Sequence, residues 1–319
     1  MRQVLPLVLL TMLAASAAQG QQYPTQEIRF VCVNPPGAGA DILVRYFAEK
    51  VRQVSGRTVI VENRPGAGGS IAMTYVAQAK PDGHTVLVHS AAAVVATMQL
   101  LKNKPFPEVH KALTVAATIN RQPYMLVVDA KSSYGNLGEL TAAMKAKGDR
   151  ATYSSGVPFG TVMGELYKAA TGVKAVEVVY RQAADSLNDF ASGAVDYGTT
   201  DPVFSLAQQR AGRLRILGIS TAERVNAAPE LPTMAEQGVP MDLVGWWGAM
   251  VPAGTPQPVI EQINKWFVEV VSSDETKAFL NKFGGDPLIE TPQAAQARFV
   301  SDVEKWKEYI RLANIKPFE

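Results

Sequence analysis

Short apolar runs alternate with helical patterns along most of this 319-residue chain, and turns that contain glycine or proline separate them. Residues 28–33 form an apolar run typical of a buried strand, residues 34–40 form a turn, and residues 41–55 place apolar side chains on one face of a helix that is predicted to end at Gly56. Strand-like runs at residues 58–61 and 85–89 enclose a second helical pattern. The alternation predicts an α/β fold with a largely parallel sheet covered by helices.

The same alternation begins again after about residue 122. Further strand-like runs lie at residues 124–128, 151–154, 176–179, 195–199, 213–219 and 243–250. A loop with glycine and proline, residues 155–161, precedes a helical pattern that begins at Val162, and the chain ends in helical patterns from residue 258 onward. We therefore predict two α/β halves followed by a helical C-terminal segment.

The first twenty residues resemble a secretory signal peptide. Arg2 supplies one positive charge, residues 4–15 are apolar, and small residues follow. The apolar run is shorter than the roughly 20 residues that a membrane-spanning helix needs, and no later segment is long and apolar enough to span. We predict that cleavage after Ala17 or Gly20 releases the mature chain into the periplasm.

Composition argues against several classes of function. Lysine and arginine total 31 against 29 acidic residues, so no broad basic surface for nucleic acid is expected. The three histidines and the single cysteine, Cys32, have no metal-ligand spacing. Residues 37–42 break the dinucleotide-binding pattern of glycines, and no P-loop is present, so we expect no cofactor. A Ser/His hydrolase is disfavoured because no nucleophile elbow is present and His89 and Ser90 are adjacent on one strand.

Two turns that contain glycine, residues 36–41 and 154–161, each lead into a helical pattern. The first turn of a helix presents unpaired backbone N–H groups and the positive end of the helix dipole, which attracts an anion by ~0.3–1 kcal/mol. Two such loops facing across a cleft would hold a small carboxylate without a basic side chain. Equally, both can be plain strand-to-helix turns in which glycine only permits a positive φ. The spacing alone leaves both interpretations open.

Several segments resemble the extracytoplasmic receptors of tripartite tricarboxylate transporters, also called Bug-type binding proteins. They are residues 23–29, the PPGAGADI segment at 35–42 and the VENRPGAGG segment at 61–69, followed in order by residues 81–83, 164–166, 179–181, 232–233 and 252–256. The resemblance covers nearly the whole mature chain. It implies a two-lobed Venus-flytrap fold of the periplasmic-binding-protein type. It also implies that residues 22–122 with 243–319 form one lobe and residues 123–242 the other.

In this family a ligand carboxylate lies on loops that match residues 35–41 and 154–161, without metal or cofactor. The resemblance and the loop argument together predict a ligand site that includes Pro36, Gly37, Ala38, Gly39, Ala40, Asp41, Ser90, Ser154, Ser155, Gly156, Phe159, Thr161, Arg181 and Asp201. Asp41 is expected as the N-cap of its helix, and Arg181 is a candidate cation for a second carboxylate. Residues 157–163 depart from the family pattern, and Phe159 there either contacts a bulky or aromatic acid or packs within the loop.

The resemblance implies a monomeric receptor that captures a small organic carboxylate and delivers it to the permease subunits of a membrane transporter. A receptor that presents its ligand to a signalling sensor has the same fold, and the sequence does not separate the two. A secreted α/β hydrolase fits less well because the nucleophile–base pair is missing. A structural or adhesive protein gives no reason for glycine loops at helix starts.

Overall fold

The computed structural model describes residues 23–156, 158–180 and 182–316. The predicted signal peptide, Val157 and Arg181 lie outside the described residues. The strands are β1 Ile28–Cys32, β2 Val59–Asn63, β3 Thr85–Ser90, β4 Leu113–Pro123, β5 Met125–Asp129, β6 Thr152–Ser155, β7 Val176–Val179, β8 Tyr197–Thr200, β9 Leu214–Ile219, β10 Val244–Pro252 and β11 Asp286–Pro287. The helices are α1 Gly39–Ser55, α2 Ser70–Ala77, α3 Ala91–Leu100, α4 Val109–Ala112, α5 Leu137–Lys147, α6 Pro158–Thr171, α7 Leu187–Ser192, α8 Pro202–Arg210, α9 Gln257–Ser272, α10 Asp274–Lys282 and α11 Pro292–Leu312.

The first lobe contains a six-stranded sheet in the order β11-β4-β10-β3-β1-β2. Strand β1 is parallel to β2 and β3, whereas β10 is antiparallel to both β3 and β4. The expectation of a largely parallel sheet is therefore wrong. Strand β4 leads out of this lobe and β10 returns to it, so the two strands lie side by side and run in opposite directions.

The second lobe contains a five-stranded sheet in the order β7-β6-β8-β5-β9. Strand β6 is parallel to β7 and β8, and β5 is antiparallel to β8 and β9. The strands of this sheet come from the middle of the chain, and those of the first sheet come from both ends. The predicted two-lobed α/β fold is confirmed.

Helix α1 shows how the sequence builds the first lobe. Its apolar face, Leu43, Phe47 and Val51, is buried against the sheet, and burial of each such side chain contributes ~1.5–3 kcal/mol. The ring of Phe47 stacks on Phe267 of α9 at a centroid distance of 5.7 Å. The helix ends at Gly56, whose φ of 66° lies in the left-handed region that glycine adopts readily. The glycine stop predicted from the sequence is thus present.

Helix α6 of the second lobe begins earlier than the sequence pattern indicates. It starts at Pro158, and not at Val162, because proline fits the first turn of a helix where its missing N–H has no intrahelical acceptor. The predicted loop at residues 155–161 is therefore short, and Phe159 and Thr161 belong to the helix.

Several contacts join the lobes where the chain crosses between them. The backbone N–H of Tyr124 donates to Ser220 Oγ at 2.9 Å, and that hydroxyl donates to the carbonyl of Leu243 at 2.5 Å. On the same side, the carboxylate of Asp286 accepts the N–H groups of Asn226 and Ala227 at 3.0 and 2.9 Å. The lobes are in direct contact around an enclosed space.

Among the described residues, no helix combines the length and the apolar character needed to cross a lipid bilayer.

Candidate functional site

A cavity of about 570 Å³ lies between the two lobes. Its walls come from residues that follow the carboxyl ends of β1, β3 and β8, which is where ligands bind in open α/β sheets. Another cavity, of about 550 Å³, lies on the surface of the first lobe between α9 and α11, and no titratable side chain lines it. The interlobe cavity is therefore the candidate site.

The loop before α1 forms one wall of the cavity. Ala38 occupies the N-cap position with φ −68° and ψ 157°, and no side chain caps the helix. The expectation that Asp41 is the N-cap is wrong, because Asp41 lies within the first helical turn. Its Oδ2 reaches back to accept the N–H of Gly37 at 2.9 Å and that of Arg45 Nε at 2.8 Å. Asp41 therefore fixes the shape of the loop.

Asp41 is buried but remains ionised. Burial opposes its charge, but hydrogen bonds from Arg45, Asn63 and the Gly37 backbone outweigh that cost and lower the pKa of its carboxyl below the ordinary value. Gly37 has φ +83°, a left-handed conformation that suits glycine. Ala38, Gly39 and Ala40 line the cavity. The start of α1, with no side chain across its N–H groups, opens directly onto the space between the lobes.

The second predicted loop is arranged differently. Ser155 Oγ and Thr161 Oγ1 both donate to Glu177 Oε1 of β7 at 2.6 Å, so their hydroxyl groups are occupied within the second lobe. Ser154 is buried in β6, and its Oγ has no hydrogen-bond partner among the described residues. Of the residues that the structure describes in this region, Pro158 and Phe159 alone line the cavity.

Three other residues of the second lobe, Gln182, Ala183 and Ala184, line the cavity instead. They follow β7, and Ala183–Ser186 forms a short 3-10 helix whose first residue follows Gln182. The N–H of Gln182 donates to Asp185 Oδ2 at 3.2 Å. The sequence analysis missed these residues because no glycine marks them. Their position after a parallel strand, like that of residues 34–40 after β1, is the signal that was available.

Aromatic rings form much of the remaining lining. Tyr124, at the chain crossing, stacks on Phe159 with ring centroids 4.1 Å apart, and Phe159 also meets Trp306 edge to face. Trp247 of β10 packs edge to face against His89 at 5.3 Å. Phe204 of α8 and Phe283 also line the cavity. Phe159 thus packs in the interior and also lines the cavity, and its contact with a bulky or aromatic acid stays a prediction.

Of the titratable side chains that the structure describes, three line the cavity, and burial raises the pKa of one of them, Tyr124, well above its ordinary value. Burial lowers the pKa of His89 to about 4, so this imidazole is neutral at pH 7. Asp201 is the N-cap of α8 and accepts the Phe204 N–H at 3.0 Å. Burial raises the pKa of its carboxyl, which backbone hydrogen bonds only partly offset. Among the described lining residues there is no lysine or arginine.

The predicted site residues therefore divide into three groups. Those that line the cavity are Ala38, Gly39, Ala40, Ser90, Phe159 and Asp201. Those that lie beside it without lining it are Pro36, Gly37, Asp41, Ser154, Ser155, Gly156 and Thr161. Arg181 lies outside the described residues, next in the chain to Gln182.

In the part of the chain that the structure describes, there is neither a cluster of metal-binding side chains nor a nucleophile–base pair formed by Ser90 and His89. No group of three or more histidine, cysteine, aspartate or glutamate side chains there is placed to hold a metal ion. Ser90 Oγ accepts the Ala93 N–H at 3.2 Å and caps α3, and the ring of His89 packs on Trp247. The groups that line the site include backbone N–H groups, amide side chains and aromatic rings, together with His89 and Asp201.

Comparison with known proteins gives consistent similarities. The sequence profile described as tripartite tricarboxylate transporter family receptor matches residues 43–315. A UPF0065 protein of Bordetella bronchiseptica is 30% identical, covering 99% of this chain and 94% of that protein. Protein BugT of Bordetella pertussis is 27% identical, covering 95% of this chain and 94% of its own length.

Solved structures show the same likeness. The structure of R. palustris Rpa4515 with adipate has a TM-score of 0.83 and 26% identity, covering 93% of this chain and 100% of that one. The structure of the periplasmic binding protein BugD has a TM-score of 0.79 and 27% identity, covering 92% of this chain and 99% of that one.

Proposed function

The chain belongs to the tripartite tricarboxylate transporter receptor family, and we propose that it captures a small organic carboxylate between its lobes in the periplasm and delivers it to the permease subunits of such a transporter. The observation that carries this proposal is the start of α1, which faces the interlobe cavity without a side-chain cap. Such a helix start favours an anion, and a carboxylate is ionised at neutral pH.

The N–H groups of Gly39 and Ala40 are the donors that we propose for this carboxylate. Both residues line the cavity and lie in the first turn of α1, where backbone N–H groups have no intrahelical acceptor. A hydrogen bond to a charged group contributes about 1.5–3 kcal/mol. Asp41 supports the site indirectly, because its bond to Gly37 holds the loop in place.

In this proposal, residues of the second lobe also contact the ligand. Ala183 and Ala184 line the cavity from the first turn of their 3-10 helix, and Arg181 immediately precedes Gln182 in the chain. A ligand that bridges α1 and this segment would stabilise the closed arrangement of the lobes. We propose lobe boundaries at residues 22–122 with 243–319 and at 123–242, and hinges at the two crossings near residues 121–124 and 239–244.

The relative solved with adipate supports the carboxylate class, since that protein is 26% identical and has the same fold. The charge balance of the cavity supports it too. His89 is neutral at pH 7, the aromatic rings are uncharged and the carboxyl of Asp201 opposes further negative charge, so the positive potential comes from helix starts, which suit an anion of low charge.

The experiment that tests the proposal combines release and rebinding. Acid extraction of natively purified protein, followed by mass spectrometry, should release an organic acid. Thermal unfolding should then be measured with aliphatic and aromatic carboxylates, acidic amino acids, sugars and divalent cations. A carboxylate at 100 times its Kd should stabilise the fold by ~2.7 kcal/mol, which raises the Tm clearly. A shift with a sugar or a cation alone would contradict the proposal.

A further inference from the structure

Gln208 of α8 presents an unsatisfied acceptor at the cavity. Its side chain lines the cavity, the residue is only 9% exposed, and its Oε1 is buried without a hydrogen-bond partner among the described residues. Leaving a buried polar atom unpaired costs about 1–3 kcal/mol. A buried polar group in a folded protein usually has a partner in the protein, in an ordered water or in a ligand.

Three other polar side chains around the cavity have protein partners. Gln122 Oε1 accepts Asn120 Nδ2 at 3.2 Å, Thr97 Oγ1 donates to the Gly68 carbonyl at 3.2 Å, and Ser90 caps α3. Gln208 differs from them in that its acceptor is left for something that enters the cavity.

Asp201 strengthens this end of the cavity as an acceptor site. It lies seven residues before Gln208, which is about two helical turns, so both side chains belong to one face of α8. Phe204 and Ala207 lie between them on the cavity wall. A second carboxylate placed along this face would meet the carboxylate of Asp201, which repels it. A hydroxyl or amino group would instead donate to them.

The space beside this acceptor face suits a planar ring. Tyr124, Phe159, Phe204, Trp247 and Phe283 all line the cavity. Aromatic pairs add about 0.5–1.5 kcal/mol beyond their buried area. An extended aliphatic diacid gains only apolar burial from these ring faces, whereas an aromatic ring also stacks on them.

We propose that the ligand is an aromatic monocarboxylate whose end opposite the carboxylate carries a hydroxyl or amino group that donates to Gln208 Oε1. The inference rests on the proposed function and narrows its ligand class. The carboxylate lies at the start of α1, and the donor group lies at α8. Gln208 is thereby the residue that distinguishes a donor-bearing acid from its plain counterpart.

Titration calorimetry with matched acids tests this assignment. The probes are phenylacetate, its 3- and 4-hydroxy derivatives, the corresponding methoxy derivatives and adipate. For the wild-type chain, the better hydroxy acid should bind about tenfold or more tightly than phenylacetate and than its methoxy counterpart, because only the hydroxyl donates to a buried acceptor. In Gln208→Met, phenylacetate, the better hydroxy acid and its methoxy counterpart should bind within about threefold of one another. The affinity for phenylacetate should be the same as in the wild-type chain.

Gln209→Met is the matched control on the same helix. Gln209 Oε1 accepts the Ile216 N–H at 2.9 Å, and Gln209 does not line the cavity. This variant should lower the Tm but keep the full preference for the hydroxy acid. If Gln208→Met fails to fold, the inference is decided by the ratio of the affinities of the wild-type chain for the hydroxy acid and for its methoxy counterpart.

The outcomes separate the two proposals. Adipate binding more tightly than every aromatic acid, a preference for the methoxy acids, or a preference that persists in Gln208→Met would each overturn this inference and leave the carboxylate receptor standing. Loss of tight adipate binding in Arg181→Gln would then assign the second carboxylate to Arg181. Failure of every acid to bind would overturn both.

Discussion

Two strand-to-helix loops with similar composition have opposite roles in this molecule. The loop before α1 in the first lobe turns its helix start toward the interlobe cavity. The loop between β6 and α6 in the second lobe holds its hydroxyl groups against Glu177. Small residues and glycine before a helix therefore do not by themselves make a ligand site. Whether such a loop can bind a ligand depends on whether its polar groups already bind another part of the fold.

In each loop one carboxylate has this deciding role. Asp41 binds the N–H of Gly37, outside the helix, and so leaves the first helical N–H groups to the cavity. Glu177 binds Ser155 and Thr161 on both sides of the helix start, so it ties that loop to β7. The first arrangement leaves the start of α1 open to the cavity, and the second ties its loop to a strand of the same lobe.

The largest expected effect comes from removing a donor at the start of α1. Gly39→Pro deletes one N–H at the first helical position, where proline fits, and Ala38 already has the extended conformation that precedes proline. A Cβ at Gly39 meets only Val203 Cγ1, at an ordinary 3.8 Å. Calorimetry should show a loss of carboxylate affinity of ~10- to 100-fold with an undiminished free energy of unfolding.

Asp274→Pro provides the control for this change. It places proline at the first position of α10, after Ser273 with φ −70° and ψ 142°, away from the cavity. Its affinity for the acid should match that of the wild-type chain. Wild-type affinity for the acid in Gly39→Pro would show that the start of α1 does not bind the carboxylate.

The next effect concerns the pH dependence of stability. Because burial holds the pKa of His89 at about 4, the unfolded chain takes up a proton near pH 6.5 while the folded chain does not. Above pH 6.5, His89 therefore does not reduce the free energy of unfolding. As the pH drops toward 4, this free energy falls by about 1–3 kcal/mol, given the partial exposure of the residue. The free energy of unfolding, measured with denaturant across this pH range, should change less with pH in His89→Gln than in the wild-type chain. An equal pH dependence in the two chains would contradict the assignment.

A smaller effect is expected in the second lobe. Ser155→Ala and Thr161→Val each remove one hydrogen bond to Glu177, which should lower the free energy of unfolding by about 1–2 kcal/mol. Because these residues do not line the cavity, the Kd for the acid should stay within about twofold. A large loss of affinity at wild-type stability would mean that this loop binds the ligand after all.

The smallest effect is expected at Asp201. Asparagine caps a helix as well as aspartate does, so Asp201→Asn keeps the α8 cap and removes a carboxylate that burial disfavours. A raised folded pKa means that wild-type stability is lost as the pH rises above about 4, so the variant should gain up to ~1 kcal/mol at pH 7 and nothing at pH 3. A variant less stable than wild type at pH 7 would contradict this account.

The sequence predicted those parts of the fold that depend on local patterns. Helix α1 has an apolar face every three to four residues and a glycine stop, and both were recognised. Helix α3 was missed because it is apolar on nearly every side and buried, so it has no helical period. The start of α6 was placed too late because the proline was read as part of a loop and not as a first helical residue.

The site was only partly predictable for a different reason. The bonds of Glu177 to Ser155 and Thr161 connect residues 16 to 22 positions apart, and no local pattern contains them. Gln208 lies on an ordinary helical segment, and its unpaired oxygen exists only because α8 borders the cavity. Non-local packing therefore decides which of the predicted polar groups reach the ligand.

The most direct test of the central claim is an NMR spectrum of backbone amides, recorded with and without the acid that raises the Tm most. A carboxylate that accepts backbone N–H groups moves the donating amide protons downfield. The account predicts that the largest downfield shifts occur at Gly39 and Ala40 in the first lobe, with small changes at Gly156 and Thr161. The largest shifts at Gly156 and Thr161, with Gly39 and Ala40 unmoved, would contradict it.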